Sequence, residues 1–220
     1  PGTVSHVMPL TRFSQSLLLA LFAATSAPAA ERVPWTTSHV HGSPEKPLPY
    51  RVERVFPKAT FKEPLEAATI PGTRRLLVVQ QDGHLFSIEK QDDQPELFAD
   101  LLKFNPEVKE CYSVAFHPRF AENRFVFVWI NLDTSKGQSR EDRSRIVRFK
   151  VTEENPPRLD IASGELIFSW LVGGHNGGSC RFGPDGMLYI STGDGASVEP
   201  PDEHSTGQDI SDVLASVLRI

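Results

Sequence analysis

The strongest constraint on the fold is a strand–turn–strand pattern that occurs three times, at residues 76–88, 114–129 and 180–191. An Asp-Gly turn between β-branched and aromatic residues, as at Asp82-Gly83, favours a hairpin. The three turns, at positions 82, 123 and 185, are 41 and 62 residues apart, and further apolar strand candidates at 145–151 and 165–170 lie between the last two. Units of about 40–50 residues with about four strands are typical of β-propeller blades.

The pattern therefore predicts an all-β chain built as a β-propeller. An immunoglobulin-like sandwich is the structural alternative, but the repeat of about 40–50 residues favours the propeller. Residues 51–220 supply about three to four blades at this spacing. The sequence ends at Ile220 within an apolar run that resembles a strand, so we expect it to be the N-terminal part of a longer protein.

The beginning of the chain has the pattern of a secretory leader. After a candidate initiator, Met8, come Arg12, an apolar run at 17–24 and the small-residue pattern Ala27-Pro28-Ala29. The apolar run is shorter than the roughly 17–25 residues that cross a bilayer, so no membrane span is expected. We predict a signal peptide within residues 1–29, a proline-rich linker at 30–50 and a periplasmic or secreted protein.

Charge and cysteine content exclude several classes of function. The net charge of −5 leaves no basic surface for nucleic acid. Cys111 and Cys180 lie in apolar surroundings, which favours buried free thiols, with one disulfide as the alternative. No CxxCH motif is present to hold a c-type haem, and the acidic residues at 199–203 lack the spacing of a calcium loop, so no metal ligands are assigned in this segment.

A glycine-rich motif carries the chemistry. The run His175-Asn176-Gly177-Gly178 leads into the third hairpin, which ends at Gly193-Asp194-Gly195. A hairpin between His175 and Asp194 would bring the two side chains to one end of a sheet. An imidazole can accept a proton near neutral pH, and a carboxylate on its second nitrogen fixes its tautomer. In isolation, the same residues would be interpreted as a loop histidine and a solvent-exposed turn.

This motif resembles the soluble quinoprotein glucose dehydrogenase family, also called the glucose/sorbosone dehydrogenases, which includes bacterial aldose sugar dehydrogenases. Supporting matches are Ala115-Phe116-His117-Pro118-Arg119-Phe120, residues 144–149, and Gln208 together with Leu218-Arg219-Ile220. The resemblance implies a six-bladed propeller that binds pyrroloquinoline quinone (PQQ) and calcium, oxidises an aldose at its anomeric carbon, and passes electrons to an acceptor such as a quinone or a cytochrome.

The resemblance also assigns roles to residues. It implies that His175 is the general base, that Asp194 orients it, and that Asn176 and Gly174 lie at the sugar. It places the residues that anchor PQQ and calcium beyond Ile220.

Two departures from the family pattern leave an alternative open. Gly174 stands where an aspartate can contact the sugar, and residues 110–113 replace a glycine- and leucine-rich run. The alternative is a non-catalytic secreted propeller that binds a protein or a polysaccharide. The isolated segment is expected to be inactive in either case, because an open stack of blades leaves a sheet edge exposed.

Overall fold

The computed structural model describes residues 50–91, 93–197 and 204–220, and within these residues it contains three antiparallel sheets. The predicted leader lies outside the described residues, as does the predicted linker up to residue 49. Residues Val52–Ile220 form one compact unit. No helix among the described residues is both long and apolar enough to span a membrane.

The first sheet is a meander of four strands in the order β1-β2-β3-β4. The predicted hairpin at Asp82-Gly83 forms its centre, with Leu76 opposite Ile88, and Gly83 adopts the positive φ of +86° that such a turn requires. The strands are β1 Pro64–Thr69, β2 Leu76–Gln80, β3 His84–Ile88 and β4 Glu96–Asp100, followed by a short 3₁₀ helix at Leu101–Lys103.

The second sheet is a longer meander in the order β5-β6-β7-β8. Between its first two strands, the predicted turn is a one-turn helix, α1 Phe120–Asn123, which Arg124 ends in the left-handed conformation. The strands are β5 Val108–Phe116, β6 Phe125–Leu132, β7 Ser144–Val151 and β8 Leu159–Trp170.

The third sheet has three strands in the order β11-β10-β9. The Pro-Asp-Gly turn connects β9 to β10, as predicted, with Gly186 at a φ of +79°. The strands are β9 Gly177–Phe182, β10 Leu188–Thr192 and β11 Val217–Arg219, and a 3₁₀ helix at Thr206–Gln208 lies between the last two.

Two hydrophobic cores lie on the two faces of the second sheet. Along β6, Val126, Val128 and Ile130 belong to the core that includes residues of the first sheet. The alternate residues Phe127 and Trp129 belong to the core that includes residues of the third sheet. Since successive side chains of a strand point to opposite faces, the continuous apolar run of β6 is explained by burial on both sides.

The three predicted hairpins are not equivalent positions in their sheets. The first is the middle hairpin, β2–β3, whereas the second and third are the opening hairpins, β5–β6 and β9–β10. This difference explains why the predicted turns are unevenly spaced. The stacked meanders have the strand order expected of propeller blades.

Candidate functional site

The structure brings His175 and Asp194 together at one end of the third sheet. His175 lies two residues before β9 and Asp194 two residues after β10, and the two strands end opposite each other at Gly177 and Thr192. His175 Nδ1 is 3.1 Å from Asp194 Oδ1. The imidazole side chain is 44% exposed and the carboxylate 20% exposed. The carboxylate therefore engages one ring nitrogen of a histidine that solvent can reach.

Backbone hydrogen bonds join the two loops that carry this pair. The N–H groups of Gly174 and His175 each donate to the carbonyl oxygen of Ala196 at 3.0 Å. In the opposite direction, the Gly195 N–H donates to the His175 carbonyl at 2.9 Å. The Asp194 carboxylate also accepts the Ala196 N–H at 3.0 Å. The main chain thus fixes the relative position of the two loops that carry these side chains.

The glycines of the motif permit this close approach of the two loops. A Cβ at Gly173 would overlap with the carbonyl oxygen of Gly195, and one at Gly174 would lie 2.6 Å from the carbonyl oxygen of Ala196. Gly177 has a φ of +91° and a Cβ there would overlap with Ser191. By contrast, a Cβ at Gly178 would have no atom within 4 Å. Most of the space beside these glycines is therefore filled by the chain itself.

The two residues assigned to sugar binding have different environments. Asn176 is buried, and its side chain closes the loop: Oδ1 accepts the Gly173 N–H at 2.7 Å and Nδ2 donates to the Gly173 carbonyl at 2.9 Å. Gly174 is exposed. A role of either residue at a sugar stays a prediction.

A cleft of about 360 Å³ lies beside the histidine loop, with Glu110, Arg140, Gly174 and Asn176 among its lining residues. Glu110 belongs to the run that departs from the family pattern. Its carboxylate accepts the Tyr112 hydroxyl at 3.1 Å and the Asn131 side-chain amide at 3.2 Å. Burial raises the pKa of Tyr112, and the charge of Glu110 raises it further. The departure therefore places a hydrogen-bonded carboxylate in the wall of this cleft.

Two other histidines have local explanations. His117 Nδ1 is 3.0 Å from the Arg119 backbone nitrogen and 2.8 Å from the Asn123 side-chain amide, so it stabilises the α1 turn. Partial burial lowers the pKa of His117. His84 Nδ1 lies 3.1 Å from Asp82 Oδ1 in the same tight turn, and its Nε2 lies 3.8 Å from Asp100 Oδ1 at the end of the paired strand β4. Of these three histidines, His175 is the one whose carboxylate partner lies on a separate loop.

The remaining polar and thiol groups of the described residues were compared with the requirements of a metal site. Among the described residues, no group of three or more His, Cys, Asp or Glu side chains could hold a metal ion. The acidic residues at 199–203 lie outside the described residues. Cys111 and Cys180 are buried free thiols, in agreement with the favoured interpretation, and burial raises the pKa of Cys180 to about 11.

Arg140 contacts the same loops and has no signal in the sequence. Its Nε donates to the Val172 carbonyl at 2.7 Å, and its Nη2 donates to the Gly195 carbonyl. It lies in a polar loop between β6 and β7, where no motif marks it.

Comparison with known proteins identifies the family. The model of the family described as Glucose / Sorbosone dehydrogenase matches residues 61–220. Hedgehog-interacting protein of Mus musculus is 27% identical over 160 residues, which cover 68% of this chain and 23% of that protein. HIPL2 protein of Arabidopsis thaliana is 27% identical over 140 residues, covering 49% of this chain and 20% of that protein.

Solved structures show the same fold. The PQQ-bound aldose sugar dehydrogenase of Streptomyces coelicolor superposes with a TM-score of 0.61 at 23% identity, covering 77% of this chain and 47% of that one. The soluble aldose sugar dehydrogenase of Escherichia coli, in its apo form, gives 0.56 at 19% identity over 72% and 44%.

The predicted all-β propeller fold is confirmed by these neighbours. The chain spans about a quarter of the length of the Hedgehog-interacting protein it matches and under half of the solved neighbours. Because the family model covers most of the sequence, this chain belongs to the glucose/sorbosone dehydrogenase family.

Proposed function

We propose that this chain is the N-terminal part of a PQQ-dependent dehydrogenase that oxidises an aldose at its anomeric carbon. The observation that carries the proposal is the 3.1 Å contact between His175 and Asp194, made by two loops that backbone hydrogen bonds hold together. Family membership and the PQQ-bound solved neighbour support the cofactor class. PQQ, when bound, accepts the hydride that leaves the anomeric carbon.

The residues of this chain perform the proton transfer. With the proton of the neutral ring on Nδ1 and donated to Asp194, the lone pair of Nε2 is free to accept a proton. In the proposed reaction, His175 Nε2 takes the proton of the anomeric hydroxyl while the C–H bond breaks, and the sugar becomes a lactone. Asp194 fixes the ring orientation and stabilises the imidazolium that forms. A histidine that is 44% exposed is open to a substrate that arrives from solvent.

The site in this chain is one part of the proposed cofactor site. The described residues provide the base and its orienting carboxylate, while no metal ligands are grouped among them. The resemblance to the family implies that the residues that hold PQQ and calcium follow Ile220, and no step is assigned to calcium. The proposed electron acceptor is a quinone or a cytochrome, and the leader pattern before Ala30 supports a periplasmic or secreted location.

The test is turnover by the full-length protein that contains this chain, reconstituted with PQQ and calcium and supplied with aldoses and an artificial electron acceptor. Loss of a general base lowers kcat by about 10²–10⁴, so we expect a loss of this size in His175→Gln. The matched control is His84→Gln, since His84 also lies 3.1 Å from an aspartate and is 37% exposed. Equal activities of the two variants would contradict the role of His175.

A second candidate is a propeller that binds a protein or a polysaccharide without catalysis. It is favoured by the 27% identity over 160 residues to Hedgehog-interacting protein, a relative whose name describes a binding function. It predicts that PQQ neither binds stoichiometrically to the full-length protein nor supports turnover. Stoichiometric PQQ binding with sugar oxidation would exclude it.

A further inference from the structure

Arg140 connects the two functional loops from outside both of them. It belongs to the loop between β6 and β7, in the second sheet, whereas His175 and Asp194 are at the end of the third sheet. The guanidinium donates from Nε to the carbonyl of Val172 at 2.7 Å and from Nη2 to the carbonyl of Gly195. The Arg140 carbonyl also accepts the Val172 N–H at 3.0 Å. Both contacts of the side chain are thus with main-chain oxygens of the neighbouring sheet's loops.

The positions of these two carbonyls matter for the site. Val172 lies three residues before His175, and Gly195 directly follows Asp194. A guanidinium is planar and presents its donors in a fixed fork, so the two acceptors are held at a set separation. An ammonium group of similar charge is a point donor on a flexible stem and lacks this fork. Arg140 is therefore suited to holding the histidine loop against the aspartate loop.

We propose that Arg140 is a positioning residue for the His175–Asp194 pair. It acts through the backbone of both loops and contacts neither side chain of the pair. The inference rests on the proposed function in one respect only, namely that the proposed function gives the pair its catalytic role. The geometry that Arg140 maintains involves only residues of this chain and can be measured without PQQ or sugar.

The experiment compares Arg140→Met with wild type in the full-length protein that contains this chain, by NMR with selectively labelled histidine and backbone amides, and without PQQ or sugar. Methionine keeps much of the aliphatic length and removes the donors. Arg143→Met is the matched control, because Arg143 lies near the end of the same loop but pairs with Glu107 at 3.0 Å and reaches neither functional loop. The first readout is the fraction of neutral His175 rings protonated on Nδ1, from ring ¹⁵N shifts assigned with His175→Gln. The second is amide hydrogen exchange at Gly174, His175 and Gly195.

In Arg140→Met, we expect the Nδ1-protonated fraction to fall to about half of its wild-type value or less, because the hydrogen bond to Asp194 sets the tautomer. Exchange at the three loop amides should accelerate at least about tenfold, since two hydrogen bonds that close the loops are lost. Arg143→Met should change neither readout. Exchange in the core strand β6 should be unchanged in Arg140→Met, which separates positioning from a general loss of stability.

Unchanged tautomer and loop exchange in Arg140→Met would overturn the proposal, as would equal acceleration throughout β6. Should Arg140→Met not fold, Arg140→Lys keeps the charge and cannot bridge both carbonyls, and it should show the same two changes in smaller size. If Arg140→Lys also fails to fold, Arg140 serves the whole fold and the positioning role is wrong. Since no readout involves PQQ, failure of this inference and failure of the dehydrogenase proposal are separate results.

Discussion

Substitution of Gly173 by alanine should separate the two loops of the candidate site. A Cβ at this position would overlap with the carbonyl oxygen of Gly195, which is main chain and cannot rotate away. The loops would have to move apart, which would break the three backbone hydrogen bonds next to this contact, two to the Ala196 carbonyl and one to the His175 carbonyl. At about 1 kcal/mol for each net hydrogen bond, the loss is about 3 kcal/mol of unfolding free energy.

The assay is urea unfolding of the 220-residue chain. With a slope of about 2 kcal/mol per molar urea, a loss of this size lowers the unfolding midpoint by about 1.5 M. The chain offers a matched control five residues away, because a Cβ at Gly178 would have no atom within 4 Å and its φ is not positive. Gly178→Ala should leave the midpoint unchanged or raise it slightly. If Gly173→Ala unfolded at the wild-type urea concentration, or if both variants lost stability equally, the reasoning from loop contact would be refuted.

Two further predictions concern titration and thiol chemistry. The backbone N–H of Met187 and the Arg219 guanidinium hold the pKa of Asp185 below its ordinary value of 3.8, so its contribution to stability is present above that pH and is lost as the pH falls through the lowered pKa. The difference between the thermal unfolding temperatures at pH 6 and pH 3 should therefore be smaller in Asp185→Asn than in wild type. An equal difference in the two proteins would contradict this reasoning. Cys111 and Cys180 are fully buried and their pKa values are raised by burial. Neither thiol should therefore react with a thiol reagent at pH 8 in the native state, whereas both should react in urea without a reductant. A native disulfide would contradict this, because it would leave both cysteines unreactive in urea.

How much of the fold could be predicted depended on whether the signal was local. The Asp82-Gly83 turn and the Pro-Asp-Gly turn each specify a hairpin within a few residues, and both hairpins formed as predicted. The start of β8 was placed too late, at 165 instead of Leu159. Its first half also contains Asp160, Ser163 and Gly164 and pairs with β7, so its strand character comes from a neighbour. Likewise, β1 was not predicted, and its half-apolar sequence includes Glu66, which lies 3.1 Å from Arg181, more than a hundred residues later.

The candidate site also combines residues that have a local sequence signal with residues that have none. His175 and Asp194 were predicted from a motif in which one hairpin separates them, and the structure places them in contact. Arg140 could not be predicted, because its acceptors are carbonyls 32 and 55 residues away and any residue type supplies a carbonyl. The glycines beside His175 were part of the recognised motif, and the structure shows that Gly173, Gly174 and Gly177 are required by the approach of main chain to main chain. Sequence patterns report the chemistry of side chains well, but they do not show which backbone atoms those side chains meet.

The contacts that hold the two loops together bear on the choice between catalysis and binding. The glycines and backbone hydrogen bonds hold the two loops together, so the loops do not need the contact between His175 and Asp194 in order to close. A pair whose histidine is 44% exposed contributes at most about 1 kcal/mol to stability. His175→Gln should therefore unfold at nearly the wild-type urea concentration, while it loses turnover in the full-length protein. Since folding requires so little of this pair, unchanged stability of His175→Gln together with lost turnover would assign the pair to catalysis, whereas unchanged stability without any wild-type turnover would favour a propeller that only binds.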